Sequence, residues 1–580
     1  VTLGALALVF WVIGLTMASI GHIHNLGLIT VLGWPYFVAL ALLSLGVVLE
    51  LQRDELAPRR LIALIAAFVV VLFGTSSALV PVATITDSYI HMGFVGYIAH
   101  HGHVLNNYDA RFSWPGAFAL AASVLAFTGQ SSALVFLRWF PVVIELAYLA
   151  PLLVIARKSG VSKRASYLGI VFFYVGNWIY QDYFSPQALN FFFFLVVVAT
   201  VLSLWSPLTS APSERSLAAR WNATLRSLRP VRWGGHETVA SFGAARTLIL
   251  SAAVMIIVWA STVSHQLTPY LIVLALGGLL LTRRLGRPEM VVGAAVLTWA
   301  WISLGASAFW AGSLSRIFGS FGHVSASLNA NVASRVVGSS SHHFIVETRI
   351  ASIAVLFVLA VVGALRRSTD DRALEFLTAA PFLTLVAQSY GGEALLRATL
   401  FALPFAGLLA ASAFAPRADG SIAAWITSGQ ARQWPRAAST AGLAFVVLAF
   451  AIVFTLDRGG NDDYQAYTRG ELNATNYVYD HIAPGQTMGL EAPFLPVGQT
   501  GLSVDVDYAS NGSGMSVTKL ASRLLRLNAP YVVLTTSQER WGVVVEGYPI
   551  GWQRQVRADL LNDGYTVVAH WPTATVYQKN

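Results

Sequence analysis

The chain has no cysteine in 580 residues. That excludes disulfide staples, thiolate catalysis and cysteine-ligated metals. Charge is also scarce, at 11% of residues against about 25% in an average soluble domain. No GxxxxGK[ST] loop occurs, which argues against direct ATP hydrolysis. The apolar runs lack the period-two alternation of membrane β-barrel strands, and no internal repeat is visible. The first run, Val1 to Ile20, has no basic n-region and no small-residue cleavage site. It reads as a retained helix rather than a signal peptide.

Hydrophobic residues make up 56% of the chain. Apolar runs long enough to cross a bilayer recur along most of it, which predicts a mainly α, polytopic helical bundle of about thirteen spans. The spans fall near 1–20, 28–52, 61–84, 134–156, 165–180, 187–205, 247–264, 268–282, 289–312, 350–366, 374–390, 397–415 and 438–456. Arginine and lysine then collect in alternate loops: Arg53, Arg59 and Arg60; Arg157 to Arg164; Arg215 to Arg232; Arg283 to Arg287; Arg366 and Arg367; and Arg417 to Arg436. By the positive-inside rule that face is cytoplasmic. The N-terminus is expected inside and the C-terminus outside a plasma membrane. The net charge of +9 is thus a topology signal, and nucleic acid is not an expected partner.

Residues 1–457 form the expected membrane domain. Its first large outer loop, 85–133, carries two interfacial helices near 87–101 and 113–128. Residues 458–580 have mixed charge. LSVDVDY, PYVVLTT and YTVVAHW read as strands, and RGELNATNYVYDHI, SVTKLASRLLR and QRQVRADLLND as amphipathic helices. They predict a small extracytoplasmic α/β domain.

Ionisable and amide side chains gather on the outer side. In TITDSYIHMG, Asp87 and His91 are four residues apart and share a helix face. Asp87 is either a helix N-cap or a general base for a sugar hydroxyl, with His91 beside it. In NWIYQDYFSPQ, Gln181 could bind substrate and Asp182 a divalent cation, magnesium or manganese, or both belong to a solvated turn ahead of Pro186. SHQLTP supplies His265 and Gln266. YGGEALLRA sets Glu393 and Arg397 at i,i+4, either a helix salt bridge or a phosphate-binding arginine beside its acid. Arg111 and Arg138 are further phosphate candidates. Glu145 lies inside a span, where an acid is costly. His100, His101 and His103, like His342 and His343, lack metal-ligand spacing and read as interfacial histidines.

The phrases DSYIHMGFVGYIAHHGHV, FSWPG, NWIYQDYFSPQ, SHQLTPY and YGGEALLRATLFALPF resemble those of actinobacterial and archaeal GT-C glycosyltransferases over about residues 60–415. The resemblance implies transfer of a sugar from a polyprenyl-phosphate donor to a cell-envelope glycan or glycolipid, with inversion. The family's outer-loop acid maps onto Asp87 and its second-loop acid onto Asp182. This chain departs from the family in having two further spans ahead of that first acid. The tail resembles the outer domains of cell-wall glycosyltransferases. Expected partners are the lipid-linked sugar, the acceptor and membrane lipids. A transporter or flippase for lipid-linked sugar, or an envelope assembly scaffold, is the alternative reading.

Overall fold

The computed structural model describes residues 2–105, 108–130, 134–206, 243–307, 309, 338–367, 371–387, 393–414, 436–498, 502, 504–510 and 514–580. Outside the described residues lie the basic loop 207–242, Arg417 and Arg432, much of the serine- and glycine-rich loop that starts at Ser313, and Tyr390 to Gly392.

A helix stands at each expected span. Among the described residues, nine are long and apolar enough to cross a membrane. The rest are shorter or broken. Thr2–Met17, Lys163–Gly176 and Thr268–Leu281 have 16, 14 and 14 residues. The run beginning at Ala373 is interrupted by a 3-10 turn containing Pro381.

The helix Ala394–Ser412 is the core of the bundle, and every residue from Ala398 to Ser412 is buried. It is rich in alanine, so neighbouring backbones come close. At Gly363 of the helix Ser340–Arg366, a Cβ would lie 1.7 Å from the Leu409 carbonyl oxygen, so only glycine fits that crossing.

Helices Thr86–His101 and Gly116–Thr128 stand where the sequence predicts the two interfacial helices. The span Pro186–Leu204 starts with proline at its first turn, and Ser185 Oγ accepts from the Ala188 amide at 3.2 Å.

The last span, Arg436–Gly459, runs directly into the C-terminal domain. Its strands are β1 (Thr487–Leu490), β2 (Asp505–Tyr508), β3 (Tyr531–Thr535), β4 (Tyr565–Trp571) and β5 (Ala574–Lys579), in the order β2-β1-β3-β5-β4. β1 is parallel to both β2 and β3, and β5 is antiparallel to β3 and β4. Three helices match the amphipathic stretches: Arg469–His481, Val517–Arg526 and Gln553–Asn562. The first opens with a capping box between Thr468 and Glu471. The buried Glu471 also accepts from the Ser537 amide at 2.9 Å, tying two helices together.

The domain is fastened to the helix that carries Asp87. The Thr86 hydroxyl donates to the Pro493 carbonyl at 3.1 Å and accepts from the Tyr467 hydroxyl at 2.7 Å. One face further along, a Cβ on Gly93 would lie 1.9 Å from the Gly498 carbonyl oxygen. Gly498 itself has φ +90, a left-handed conformation suited to glycine.

Candidate active site

Two adjoining hollows lie at the end of the bundle that bears the C-terminal domain. The smaller, a polar chamber of about 170 Å³, is walled by Asp87, His91, Arg111, Tyr183, Gln187, His265, Gln266, Glu393 and Arg397, among others. The larger, a cavity of about 770 Å³, also includes Asp87, Tyr183 and Glu393 in its wall. Its remaining lining splits into an apolar arm and a polar end. The arm is formed by Ile350, Ile353, Phe357, Phe382 and Leu396, and the polar end by Gln181, Arg349, Asn461 and Gln465 with Trp178, Tyr464 and Phe494.

Asp87 occupies the first turn of its helix, but the residue at the cap position is Ile85 and no side chain caps the helix. Its carboxylate is about half exposed and meets Arg111 Nη1 at 3.3 Å. That arginine is pinned by Asp109 through Nε at 2.9 Å and Nη2 at 2.8 Å, and its guanidinium lies over the Phe94 ring. Burial works against the Arg111 charge, but Asp109 and Asp87 outweigh it and raise its pKa. Asp87 therefore faces both hollows from a position fixed by an arginine that is itself fixed.

His91 shares the helix face with Asp87 but is buried. Its Nδ1 donates to the Phe184 carbonyl at 2.9 Å and its ring stacks on Tyr183. Burial pushes its pKa down to about 4, so the imidazole is neutral and its proton is committed to Phe184. It holds the loop carrying Tyr183. Burial, with Asp87 and Glu393 nearby, pushes the Tyr183 phenol well above its ordinary value, so it is a neutral hydroxyl.

The opposite wall is rich in donors. His265 Nδ1 accepts from the Thr268 hydroxyl at 3.0 Å and from the Leu267 and Thr268 amides at 3.3 and 3.2 Å. Burial and the Arg397 charge hold this imidazole neutral, with a pKa well below the usual histidine value. Its one proton is therefore on Nε2, 3.4 Å from Arg397 Nη1. Arg397 donates to Glu393 Oε2 at 2.7 Å and to Gln187 Oε1 at 3.2 Å. That contact fixes the Gln187 amide, whose buried Nε2 has no hydrogen-bond partner among the described residues. Two N–H donors facing each other, with a third unmet beside them, match an anion such as a phosphate oxygen.

Two expected residues have other occupations. Asp182 was a candidate cation ligand, but both carboxylate oxygens bind the Arg458 guanidinium, at 3.1 and 2.9 Å, and the pair is buried. Arg458 is also clamped between the rings of Phe73 and Tyr180. Asp182 thus fixes the loop around Tyr183 and does not fit a metal. Among the described residues, no group of three or more histidine, aspartate or glutamate side chains is arranged to hold one. Arg138 lies away from the chamber and binds the Ser77 and Ala78 carbonyls at the end of the helix Pro58–Leu79. Glu145 accepts from the Asn177 side chain at 2.7 Å.

Sequence reasoning passed over Tyr183 and Gln187, although both stand in the quoted stretch NWIYQDYFSPQ. It also missed Asn461, Tyr464, Gln465 and Phe494, because no local pattern says that a separate domain folds back onto the site.

The fold and site together define a polytopic helical membrane protein whose C-terminal α/β domain walls the larger of two adjoining hollows. No family model and no curated protein matches the chain. In overall architecture it is similar to ArnT from Cupriavidus metallidurans bound to undecaprenyl phosphate, at 12% identity and TM-score 0.47, over 90% of this chain and 98% of that one. It is also similar to the Archaeoglobus fulgidus oligosaccharyltransferase AglB in complex with an inhibitory peptide and a dolichol-phosphate, at 12% identity and TM-score 0.44, over 87% and 72%. A third is the mycobacterial arabinofuranosyltransferase AftD, at 13% identity and TM-score 0.43, over 90% of this chain and 42% of that one. At these identities and scores, none of the likenesses gives a role to a residue of this chain.

Proposed function

We propose that the protein is a membrane glycosyltransferase that moves a sugar from a polyprenyl-phosphate donor to a carbohydrate or glycolipid hydroxyl, on the outer face of the plasma membrane. The observation that carries this reading is the position of Asp87. Its carboxylate stands in the wall shared by a donor-rich polar chamber and a larger cavity with an apolar arm. The arm suits an isoprenoid chain, and the His265–Arg397–Gln187 wall suits its phosphate.

The reaction is a single displacement. Asp87 takes the proton of the acceptor hydroxyl, and the acceptor oxygen attacks the anomeric carbon. The bond from that carbon to the phosphate oxygen breaks, and the lipid phosphate leaves with the electron pair, inverting the centre. Arg397 and the Nε2–H of His265 stabilise the charge that develops on the phosphate. Arg111, 3.3 Å from its carboxylate, keeps Asp87 aimed. No step passes through a cation.

A transporter would line its path with ionisable groups inside the membrane. Here Asp182 pairs with Arg458 and Glu145 with Asn177, and none of these four lines the large cavity. Arg349, which does, is bound to the Asp457 carbonyl and to Asn461 Oδ1. That favours the enzyme.

The test is sugar transfer by purified protein in lipid nanodiscs from radiolabelled polyprenyl-phosphate sugars. Asp87→Asn is expected to lower the transfer rate by about 10²–10⁴-fold, the usual worth of a general base, with an unchanged thermal transition. Wild-type transfer by this variant would remove Asp87 from the chemistry.

A further inference from the structure

The polar end of the large cavity is made by both domains and is not explained by a lipid-phosphate donor. We propose that it is the subsite for the acceptor, and that it recognises a neutral carbohydrate ring through a hydroxyl. This rests on the glycosyltransferase reading, since it supplies the group from which Asp87 takes a proton.

Two buried polar atoms carry the inference. Trp178 and Gln181 both line this cavity and are only 8% and 7% exposed. Among the described residues, neither the Trp178 Nε1–H nor the Gln181 Oε1 has a hydrogen-bond partner. One is an unmet donor and the other an unmet acceptor, and each is costly to leave so when buried. A phosphate or carboxylate would satisfy the indole N–H but repel the amide oxygen. An isoprenoid chain would satisfy neither. Sugar hydroxyls can meet both needs, because a hydroxyl donates one hydrogen bond and accepts others.

The surrounding surface has the same character. Phe494 enters the wall from the C-terminal domain, backed by Trp541 at 5.7 Å between ring centres and met edge-on by Tyr464 at 5.1 Å. A sugar ring has an apolar face of C–H bonds and a rim of hydroxyls, so an aromatic face beside amide groups complements it. Phe494 belongs to the loop that leaves the carboxyl end of β1. β1 lies between two parallel neighbours, at the point where the strand order reverses, and α/β sheets present ligand sites there. The loop is held at both edges of the site. Gln538 Nε2 donates to the Ala492 carbonyl at 3.1 Å, and Thr86, next to Asp87, donates to the Pro493 carbonyl. The ring that would carry the acceptor is thus tied to the residue adjoining the base.

The experiment is saturation-transfer NMR on the full chain in detergent micelles, with mannotetraose, maltotetraose and an arabinofuranose tetrasaccharide as probes. Phe494→Leu keeps apolar bulk but removes the ring face, and Gln181→Met keeps shape but removes the acceptor oxygen. At least one probe is expected to bind the wild type, and each substitution to raise its Kd at least tenfold without moving the thermal transition. Absence of binding by all three probes would overturn the proposal. So would binding unchanged in both variants, or variants that instead lose affinity for undecaprenyl phosphate. Failure of the catalytic reading looks different: oligosaccharide binding that depends on Phe494 and Gln181, with no sugar transfer from any lipid donor.

Discussion

Replacing Gly93 by alanine tests whether the C-terminal domain positions the helix that carries Asp87, the proposed base. The added Cβ would lie 1.9 Å from the Gly498 carbonyl oxygen, where an ordinary contact is 3.4–4 Å. The helix and the domain must therefore separate by about 1.5 Å, because the obstacle is backbone and cannot rotate away. Asp87 lies six residues before Gly93 on the same helix, within two turns. Displacement of a reacting group by about 1 Å can cost roughly 10²-fold in rate, and a loss of that order is expected for Gly93→Ala. The control is Gly96→Ala on the same helix, where a Cβ meets nothing within 4 Å. That change is expected to leave the rate alone and to stabilise the helix by about 0.5–1 kcal/mol. Initial rates in nanodiscs and tryptophan-detected thermal unfolding measure both. Wild-type rate in Gly93→Ala, or equal damage from Gly96→Ala, would refute the idea that domain contact sets the position of Asp87.

Other consequences can be checked in parallel. Asp182→Asn leaves a buried guanidinium without its counter-charge and is expected to destabilise the protein by about 3 kcal/mol or more. The double change Asp182→Leu with Arg458→Met should recover much of that loss in thermal unfolding; a variant as stable as wild type would show that the pair contributes little. Glu491 in the C-terminal domain is fully buried, and burial pushes its carboxyl up to about 8. Its folded-state pKa is raised, so its stabilising contribution is complete below the ordinary glutamate range. The contribution falls by about 1.4 kcal/mol per pH unit until the folded pKa is passed. Glu491→Gln removes the titration, so the variant should gain on the wild type from about pH 5 to pH 8. Parallel stability curves over that range would contradict it.

The membrane helices were legible because each announces itself over about 20 residues of local sequence. The residues of the candidate chamber were legible in part for a related reason. Asp87, Arg111, His265, Gln266, Glu393 and Arg397 are polar residues at the ends of apolar runs on one side, and they line one chamber. Asp182 looked the same locally, yet its partner is 276 residues away at the end of the last span. Nothing near Asp182 in the chain signals that guanidinium. β1 was missed because TMGL is four residues with a glycine and little strand propensity, and without β1 the loop bearing Phe494 could not be placed. Thr86 was quoted only as part of a stretch, since a hydroxyl that binds another domain looks like any other.

The shared wall of Asp87, Tyr183 and Glu393 also bears on turnover order. On the proposed reading the donor spans the chamber and the apolar arm while the acceptor takes the polar end, so the two substrates occupy different walls and the bond-forming step needs both bound at once. Steady-state rates should then show intersecting double-reciprocal lines rather than the parallel lines of a substituted-enzyme cycle. A spent lipid carrier held in its apolar arm should compete with fresh donor while leaving the acceptor's access to the cleft unchanged.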